Sequence, residues 1–287
     1  MSITRMILRA VQDGERSYSR TVRGHCPFCI REGHLTKKKN LSLDRVTGRW
    51  FCYRCNKGGL LPGFKPDEEA ANFAKHEAEI RAFDPPPGWQ EISTGSDVEA
   101  RKALSYALKR GIEAGPIAQA HLGVSLDPPV EQDGQDFRRR LIVPIRDTEG
   151  TWVGYVGRDY TGKSSLPYMY VRGMQRRLIL YNRAALDVET DKPVFVVEGT
   201  LDALALWPDA VAVLGTWSSE HADYLLESKR PVVALLDGDA WRKGEALAMV
   251  LELHGVRSGY IHLPPKTDPD EVQRDWLDEE AARCLRG

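Results

Sequence analysis

Two aspartates end an apolar segment in the stretch VVALLDGDAW, residues 232–241. Residues 232–236 form a continuous aliphatic run, which is typical of a central parallel strand covered on both faces. Asp237 and Asp239 are two positions apart, and on an extended chain such carboxylates point the same way. Like charges placed so close raise each other's pKa unless a cation lies between them. The pair therefore indicates either a cation site or a simple Asp-Gly turn.

Further acids follow two other predicted strands in the same half of the chain. Glu198 ends the segment PVFVVEG with Asp202 one helical turn on, and Asp268 and Asp270 follow the strand in SGYIHLPPKTDPDE. Strand and helix patterns alternate from residue 192, which predicts a doubly wound parallel sheet whose functional groups lie at the carboxyl ends of its strands. Together with the first pair, these acids predict an oxygen cage for Mg²⁺ or Mn²⁺.

Four of the five cysteines form two Cys-x-x-Cys pairs, Cys26 with Cys29 and Cys52 with Cys55. The pairs are separated by 22 residues, a spacing that favours a tetrathiolate zinc site in an antiparallel ribbon. Two disulfides are the alternative, but they fit poorly with a chain that shows no secretion signal. Because four thiolates fill a tetrahedral shell, we expect one structural zinc ion.

Charge is distributed unevenly, although the formal net charge is only −1. Residues 1–60 carry 13 Lys and Arg against 4 Asp and Glu, whereas residues 191–287 carry 10 against 18. The basic front predicts a region that binds polyanions, and the acidic back predicts one that attracts cations. Aromatic residues interleave with the basic ones in the ribbon, a combination that suits single-stranded nucleic acid.

The chain is predicted to contain four segments. These are a zinc-binding ribbon (1–61), a linker (62–96) that ends in the extended DPPPGW, a basic subdomain (97–190), and a doubly wound subdomain with a C-terminal helix (191–287). A helical pair at 97–120, interrupted at Gly111, opens the basic subdomain, and the strand patterns RRRLIVPIRD, TWVGYVGRD, YMYV and RLILYN follow. Since no apolar run of about 18 residues and no signal sequence are found, we expect a cytoplasmic protein.

These motifs together resemble the DnaG-type primases of bacteria and phages. VVEGTLDALAL, LLDGD and KTDPDE are similar to the TOPRIM domain of that family, and AVLGTWSSEH is similar to its Leu-Gly-Thr loop. LKRGIEAGPIAQAHLGVS and FRRRLIVPIRDTEGTWVGYVGRD resemble the helical and basic segments that precede TOPRIM. With the ribbon in front, the resemblance covers nearly the whole chain in the family's order. It implies an α/β fold with an antiparallel zinc ribbon, a mixed α+β basic subdomain and a TOPRIM subdomain.

Two positions depart from the family pattern. The ribbon has four cysteines where DnaG-type primases usually have Cys-His-Cys-Cys, and this set is more like that of phage primase–helicases. Pro167 stands where the family has the lysine of its Pro-Lys-Tyr-Leu-Asn-Ser-Pro motif, and nearby Lys163 is the candidate replacement. No P-loop motif is present. The implied type is a compact primase of a phage or mobile element.

The resemblance implies template-directed synthesis of a short RNA primer on single-stranded DNA from NTPs. A ribonucleotide 3′-hydroxyl attacks the α-phosphate of the next NTP and releases pyrophosphate, with two or more divalent ions neutralising charge. The implied catalytic residues are Glu198, Asp237 and Asp239, and Asp202, Asp268 and Asp270 complete the metal set. Arginine grips phosphate with two parallel hydrogen bonds, and the residues implied to hold template and triphosphate are Arg138, Arg140, Arg146, Arg158 and Lys163. A replicative helicase is an implied partner.

Two other functions use the same sequence features. A TOPRIM nuclease or topoisomerase would share the acids, but a topoisomerase needs a tyrosine in a separate breakage domain and such a nuclease usually accompanies an ATPase. A non-catalytic module that binds single-stranded DNA would keep the fold, although it would not need every acid. We therefore expect a primase.

Overall fold

The computed structural model describes residues 3–12, 15–16, 21–34, 38–45, 47–61, 80–94, 97–130 and 134–286. The predicted linker, 62–96, lies largely outside the described residues. The chain divides into two compact units, one of Met1–Glu79 with Glu245–Val256 and one of Ile80–Gly244 with Arg257–Gly287. Among the described residues, no helix combines the length and the apolar character needed to cross a membrane.

The first unit contains an antiparallel sheet whose five described strands follow chain order. Its elements are helix α1 (Ile3–Gln12), strands β1 (Glu15–Arg16) and β2 (Thr21–Gly24), helix α2 (Pro27–Arg31), and strands β3 (Leu41–Asp44), β4 (Arg49–Cys52) and β5 (Gly58–Leu60). The β3–β4 turn is fixed by Asp44, whose Oδ1 accepts a hydrogen bond from Thr47 N at 2.9 Å. Ile7, Leu41 and Trp50 pack in one apolar cluster, so α1 and the ribbon share a core.

The second unit begins with an antiparallel sheet in the order β10-β9-β8-β7-β6. Its elements are β6 (Trp89–Glu91), α3 (Val98–Lys109), α4 (Ala114–Gln119), β7 (Gly123–Ser125), β8 (Arg140–Arg146), β9 (Trp152–Asp159) and β10 (Tyr168–Tyr170). Helix α3 begins at Asp97, whose side chain accepts a hydrogen bond from Glu99 N, and it buries three alanines one or two turns apart. The chain leaves α3 through Gly111, which has a positive φ of 76° that favours glycine. The predicted helical pair is confirmed.

The predicted strand RLILYN is wrong. Arg176–Leu178 forms a 3₁₀ turn, and only Tyr181 pairs with a strand residue, Ala212, in an isolated bridge. Side chains from a later helix, Ser219–Leu225, bind the carbonyl groups that a strand would have used: His221 Nε2 donates to Ile179 O at 2.9 Å and Tyr224 Oη donates to Leu178 O at 2.9 Å. Tertiary hydrogen bonds therefore override the local strand pattern.

The rest of the second unit contains a four-stranded parallel sheet in the order β12-β11-β13-β14. Its elements are β11 (Val194–Val197), α5 (Thr200–Ala205), β12 (Ala210–Ala212), α6 (Ser219–Leu225), β13 (Val232–Ala234), a 3₁₀ turn (Gly238–Ala240), α7 (Trp241–Leu253), β14 (Ser258–Tyr260), a 3₁₀ turn (Pro269–Glu271) and α8 (Arg274–Cys284). The part of α7 from Glu245 onward is grouped with the first unit. Strand β11 is buried at every position, as expected for a parallel strand covered on both faces. The predicted parallel sheet and the α/β fold class are confirmed.

The amino edge of this parallel sheet is held by buried Arg230. Its guanidinium donates to the carbonyls of Lys192 and Pro193 at 2.9 Å each, and to Asp209 Oδ1 at 2.7 Å. The second oxygen of Asp209 accepts from Arg274 of α8 at 2.9 Å. One carboxylate and two arginines thus join the starts of three neighbouring strands to the last helix, with both carboxylate oxygens bonded.

Candidate active site

The predicted acids lie at the carboxyl ends of neighbouring strands. Glu198 follows β11 directly, and Asp202 lies in the first turn of the helix after it, α5. Gly199 between them leaves room for this arrangement, because a Cβ there would lie 2.6 Å from Asp202 Oδ2. Asp237 follows β13, which is the hydrogen-bonded neighbour of β11. Asp202 and Glu198 are thereby brought to the same edge of the sheet as Asp237.

Asp237 and Asp239 do not lie on extended chain, contrary to the sequence-based expectation. Asp237 precedes a 3₁₀ turn over Gly238–Ala240 that contains Asp239. Gly238 permits the turn, because a Cβ there would lie 1.9 Å from Pro264 O, and its N–H donates to Thr267 O at 3.2 Å. This contact brings the loop that carries Asp268 and Asp270 beside the Asp-Gly-Asp segment.

The six carboxylates differ in exposure. Asp202 is 9% exposed and the side chain of Asp270 is 4% exposed, whereas Glu198 and Asp237 are half-buried and Asp239 and Asp268 are exposed. The edge therefore has a buried end, formed by Asp202 and Asp270, and an end open to solvent.

Burial and mutual repulsion raise the pKa of several of these groups. The pKa of Asp202 is raised to about 7, first by burial and then by the charges of Asp270, Asp237 and Asp268. The pKa of Glu198 is raised by burial and then by Asp237, while Lys243 opposes the shift. The pKa of Asp237 is raised by burial and then by Asp268. Mutual repulsion of this kind means that a cation at the edge would be attracted by several carboxylates together.

The carboxylates are more widely spaced than the cysteine thiols. Within the described chain, the four cysteine Sγ atoms all lie within 4.8 Å of one another. The carboxylate oxygens of the six acids do not form such a group. Asp270 Oδ1 is buried and has no hydrogen-bond partner. An open set of hard oxygen donors with one orphaned buried oxygen fits a hydrated divalent cation such as Mg²⁺ or Mn²⁺.

The four cysteines form a compact metal-binding cluster in the ribbon. Cys26 Sγ lies 3.7 Å from Cys55 Sγ, and Cys29 Sγ lies 3.7 Å from Cys52 Sγ. Cys26 precedes α2 and Cys29 lies within it, while Cys52 ends β4. Burial raises the pKa of Cys29 to about 11. A tetrahedral ion that accepts thiolates fits this spacing, and binding it would release the thiol protons.

The predicted basic residues lie in different surroundings. Arg140 is buried, and its guanidinium donates to Leu166 O and Ser164 Oγ at 2.9 Å each. Its donors are thus committed to the β9–β10 loop. Arg138 is exposed and paired with Asp136 at 2.7 Å, and Arg146 is exposed with its guanidinium over the ring of Trp152. Lys163 is exposed.

Among the predicted cations, Arg158 shares a neighbouring tyrosine with the buried acids. Its Nε donates to Tyr106 Oη at 2.9 Å, and its guanidinium lies 4.5 Å from the ring centre of Tyr168. Burial raises the pKa of Tyr168 to about 12, and the nearby charges that act on this hydroxyl include Arg158 and Asp202. Tyr168 of β10 thus has both this arginine and buried Asp202 among the charges that act on it.

Sequence reasoning missed several residues beside the acids. Tyr170 shares a face of β10 with Tyr168, and Arg176 lies 4.5 Å from its ring centre. Lys243 in the first turn of α7 opposes the rise in pKa of Glu198 and Asp237. Arg110, at the end of α3, pairs with Asp270 at 2.6 Å. The alternation in YMY could have placed the two tyrosines together, whereas no local signal identifies Arg110.

The segment that carries the parallel sheet and its acids is similar to a known family, because the family described as Toprim-like matches residues 195–273.

The whole chain is similar to DNA primases. It is 27% identical to the DNA primase of Staphylococcus epidermidis over 92% of this chain and 54% of that protein, so it spans about half the length of the primases it matches. The zinc-binding and RNA polymerase domains of the Aquifex aeolicus primase share its fold, with a TM-score of 0.52 over 98% of this chain and 82% of that one at 21% identity. A DnaG primase catalytic domain bound to ssDNA is 25% identical over 67% of this chain and 73% of that chain, with a TM-score of 0.52. The predicted resemblance to DnaG-type primases is confirmed.

Proposed function

We propose that this chain acts as a DNA primase with a zinc ribbon and a polymerase region, and makes short RNA primers from NTPs on single-stranded DNA. The convergence of six carboxylates on the carboxyl edge of the parallel sheet carries the proposal, because nucleotidyl transfer needs a strongly cation-attracting surface. The order of ribbon, basic sheet and Toprim-like sheet, shared with relatives that are DNA primases, supports it.

The acids are assigned distinct tasks under this proposal. Glu198, Asp237 and Asp239 are the catalytic carboxylates, and Asp202, Asp268 and Asp270 complete the metal set. Two Mg²⁺ or Mn²⁺ ions, when bound, would neutralise the attacking and leaving oxygens of an in-line displacement. The charge of Lys243 acts on Glu198 and Asp237, which supports the proposal that its ammonium contacts the triphosphate.

The antiparallel sheet beside the acids is proposed to hold the template and the NTP. Arg158 is the leading candidate, because it and the buried acids flank the same tyrosine, Tyr168. Arg138, Arg146 and Lys163 are exposed and suited to phosphate contacts. Arg140 is buried and is proposed to act indirectly, because its hydrogen bonds hold the β9–β10 loop that carries Lys163.

The cysteine cluster is proposed to hold one structural zinc ion. Four thiolates with no further ligand make a closed site, so the ion would stabilise the ribbon rather than take part in chemistry. The ribbon carries the basic front of the chain and is proposed to contact the template. A replicative helicase as partner, and an origin in a phage or mobile element, remain proposals that rest on the sequence resemblance.

Primer synthesis tests the proposal. The chain is incubated with a randomised single-stranded DNA, labelled NTPs and Mg²⁺ or Mn²⁺, and the products are separated by size. Short RNA products are expected, and Asp237→Asn should reduce them by at least ~100-fold while template binding persists. Asp191→Asn, which changes an exposed acid away from the site, is the matched control.

Two other outcomes would replace the proposal. Metal-dependent shortening of the labelled template, lost in Asp237→Asn, would identify a nuclease. Template binding without any reaction, unaffected by Asp237→Asn and by added metal, would identify a binding module.

A further inference from the structure

An ion pair joins the six acids at the carboxyl end of the parallel sheet, here called the acid edge, to helix α3. Arg110 is the residue at which α3 ends, and its N–H donates to the carbonyls of Tyr106 and Ala107. Its Nη2 lies 2.6 Å from Asp270 Oδ2. The end of a helix fixed by its own backbone hydrogen bonds therefore holds one oxygen of a carboxylate 160 positions away in the sequence.

Only half of this carboxylate is satisfied. The side chain of Asp270 is 4% exposed, and its Oδ1 is buried without a hydrogen-bond partner. Arg110 Nε is also buried without a partner. A bidentate arginine–carboxylate pair would have used both oxygens, so the geometry gives up a hydrogen bond that the two groups could make. Buried polar atoms left unpaired in a native fold require an explanation, and one explanation is an ion that occupies the place.

The Asp209 cluster shows what a purely structural pair looks like in the same unit. Asp209 accepts from Arg230 at Oδ1 and from Arg274 at Oδ2, so no oxygen is left over. Each cluster joins a helix to another segment of the second unit, but Asp270, unlike Asp209, retains a carboxylate oxygen without a hydrogen-bond partner. Among the described acids, Asp270 thus combines an arginine contact on one oxygen with a buried, unpaired second oxygen.

We propose that Arg110 is a positioning residue that holds Asp270 by Oδ2 so that Oδ1 is presented to a divalent cation. The proposal rests on the primase function above and deepens it, since it assigns a role to a residue outside the Toprim-like segment. Arg110 also lies where its charge acts on Asp202, so it limits repulsion at the buried end of the edge. Lysine supplies the same charge with a single-point contact, whereas glutamine removes the charge.

Binding of Mn²⁺ to the full chain, without nucleotide or DNA, tests this directly. The electron paramagnetic resonance signal of free Mn²⁺ is followed during titration of the zinc-loaded wild type, Arg110→Gln, Arg110→Lys and Arg274→Gln. We expect Arg110→Gln to weaken Mn²⁺ binding by roughly 10- to 100-fold, the range for loss of a residue that orients a metal ligand. Arg110→Lys should fall between it and the wild type. Arg274→Gln, which removes a comparable ion pair at the opposite edge, should bind as the wild type does.

Other results would overturn the inference. Unchanged Mn²⁺ binding by Arg110→Gln would overturn it, as would equal weakening by Arg274→Gln, which would indicate a general loss of stability. Absence of Mn²⁺ binding by the wild type would also overturn it. If Arg110→Gln does not fold, as judged by thermal unfolding, Arg110→Lys decides the question by the same titration. Primer synthesis is measured in a separate assay. If the wild type binds Mn²⁺ but makes no primers, the proposed function is refuted, while the titration still decides the role of Arg110.

Discussion

The carboxylates at the strand ends differ in how far each is removed from water. Asp202 is almost fully buried beside Asp270, whereas Asp239 and Asp268 are exposed. Ionising the buried members without a cation opposes folding, because their charges are close and poorly solvated. The same arrangement favours cation binding, since one ion relieves several repulsions at once. The repulsion that destabilises the carboxylates in the absence of a cation is therefore the same repulsion that favours cation binding.

Asp202→Asn is expected to stabilise the chain at pH 8 in the absence of added Mg²⁺ or Mn²⁺. The pKa of Asp202 is raised from 3.8 to about 7, first by burial and then by the neighbouring carboxylates, so the folded state keeps a proton that the unfolded state has lost. Stability therefore falls as the pH rises from about 4 to about 7 and is constant above that value. The penalty is on the order of 4 kcal/mol, and Asn removes it.

Urea unfolding at pH 5 and pH 8 checks this expectation. Asp191→Asn, an exposed substitution, should leave the wild-type pH dependence in place. If Asp202→Asn is no more stable than Asp191→Asn at pH 8, Asp202 does not carry the repulsion assigned to it.

Helix α6 shows how one element fixes a segment that lacks regular structure. His221 Nδ1 accepts a hydrogen bond from Ser218 N at 3.1 Å, and its Nε2 donates to Arg176 O and Ile179 O. These contacts require a neutral imidazole protonated at Nε2. The 3₁₀ segment that replaced the predicted strand is therefore stabilised by a side chain that must remain uncharged.

His221→Gln is expected to reduce the free energy of unfolding by about 1–3 kcal/mol at pH 7.5, since it leaves buried polar groups unpaired. Burial lowers the pKa of His221 below 6.5, with Glu220 and Arg177 as its charged neighbours. The unfolded state gains a proton below pH 6.5 that the folded state does not, so the stability that the neutral ring confers is lost as the pH falls from 6.5 toward the folded pKa. His221→Gln should lose this dependence, whereas exposed His262→Gln should retain it. Thermal unfolding across pH 5–7.5 measures both, and parallel curves for the two variants would contradict the assignment.

We expect the ribbon to depend on metal binding at its cysteine cluster, as other small domains depend on a structural metal or on disulfides. Cys52→Ser is expected to abolish stoichiometric zinc and to expose the ribbon to proteolysis, because structural zinc binding supplies about 10–16 kcal/mol in small zinc domains. Cys284→Ser is the control, since Cys284 lies in α8 outside the cluster. Elemental analysis and limited proteolysis report the two effects. Full zinc content in Cys52→Ser would exclude the four-thiolate site.

The distribution of charge along the chain separates two electrostatic tasks. The front carries a large excess of basic residues, and the last third carries an excess of acids, so polyanion and cation are attracted to different parts of one molecule. Nucleic-acid affinity should therefore come from contacts with phosphate and depend strongly on salt.

Affinity for single-stranded DNA is expected to fall with salt, with a slope of about −0.7 per phosphate contact. The double substitution Arg49→Ala and Arg54→Ala removes two ribbon cations and should reduce the magnitude of the slope by ~1.4. Lys229→Ala changes an exposed lysine in the acidic part of the chain and should leave the slope unchanged. Fluorescence anisotropy at several salt concentrations measures it. Equal slopes for all three proteins would place the phosphate contacts elsewhere.

Much of this arrangement is predictable from the sequence because it is encoded locally. Cysteine spacing identifies the cluster, and apolar runs that end in acids identify the strands whose ends meet. The pairing of Arg110 with Asp270 and the burial of Arg140 are not predictable in this way, since each depends on contacts between distant elements. The false strand RLILYN has the same cause, because its carbonyls are bound by side chains that follow some 40 residues later.

The arginine-bridged amino edge of the parallel sheet has a consequence for how this fold can change over time. Ion pairs stabilise the end of the sheet opposite to the acids, and they join Asp209 to Arg230 and Arg274. One end of these strands therefore contributes stability, whereas the other end carries mutually repelling carboxylates. Substitutions that strengthen the arginine-bridged end would raise thermal stability without altering the end that carries the six acids. Such a gain would offset the stability that is lost through repulsion among the acids. A lineage, or a laboratory selection, can therefore alter substrate preference at one end while it adapts to temperature at the other.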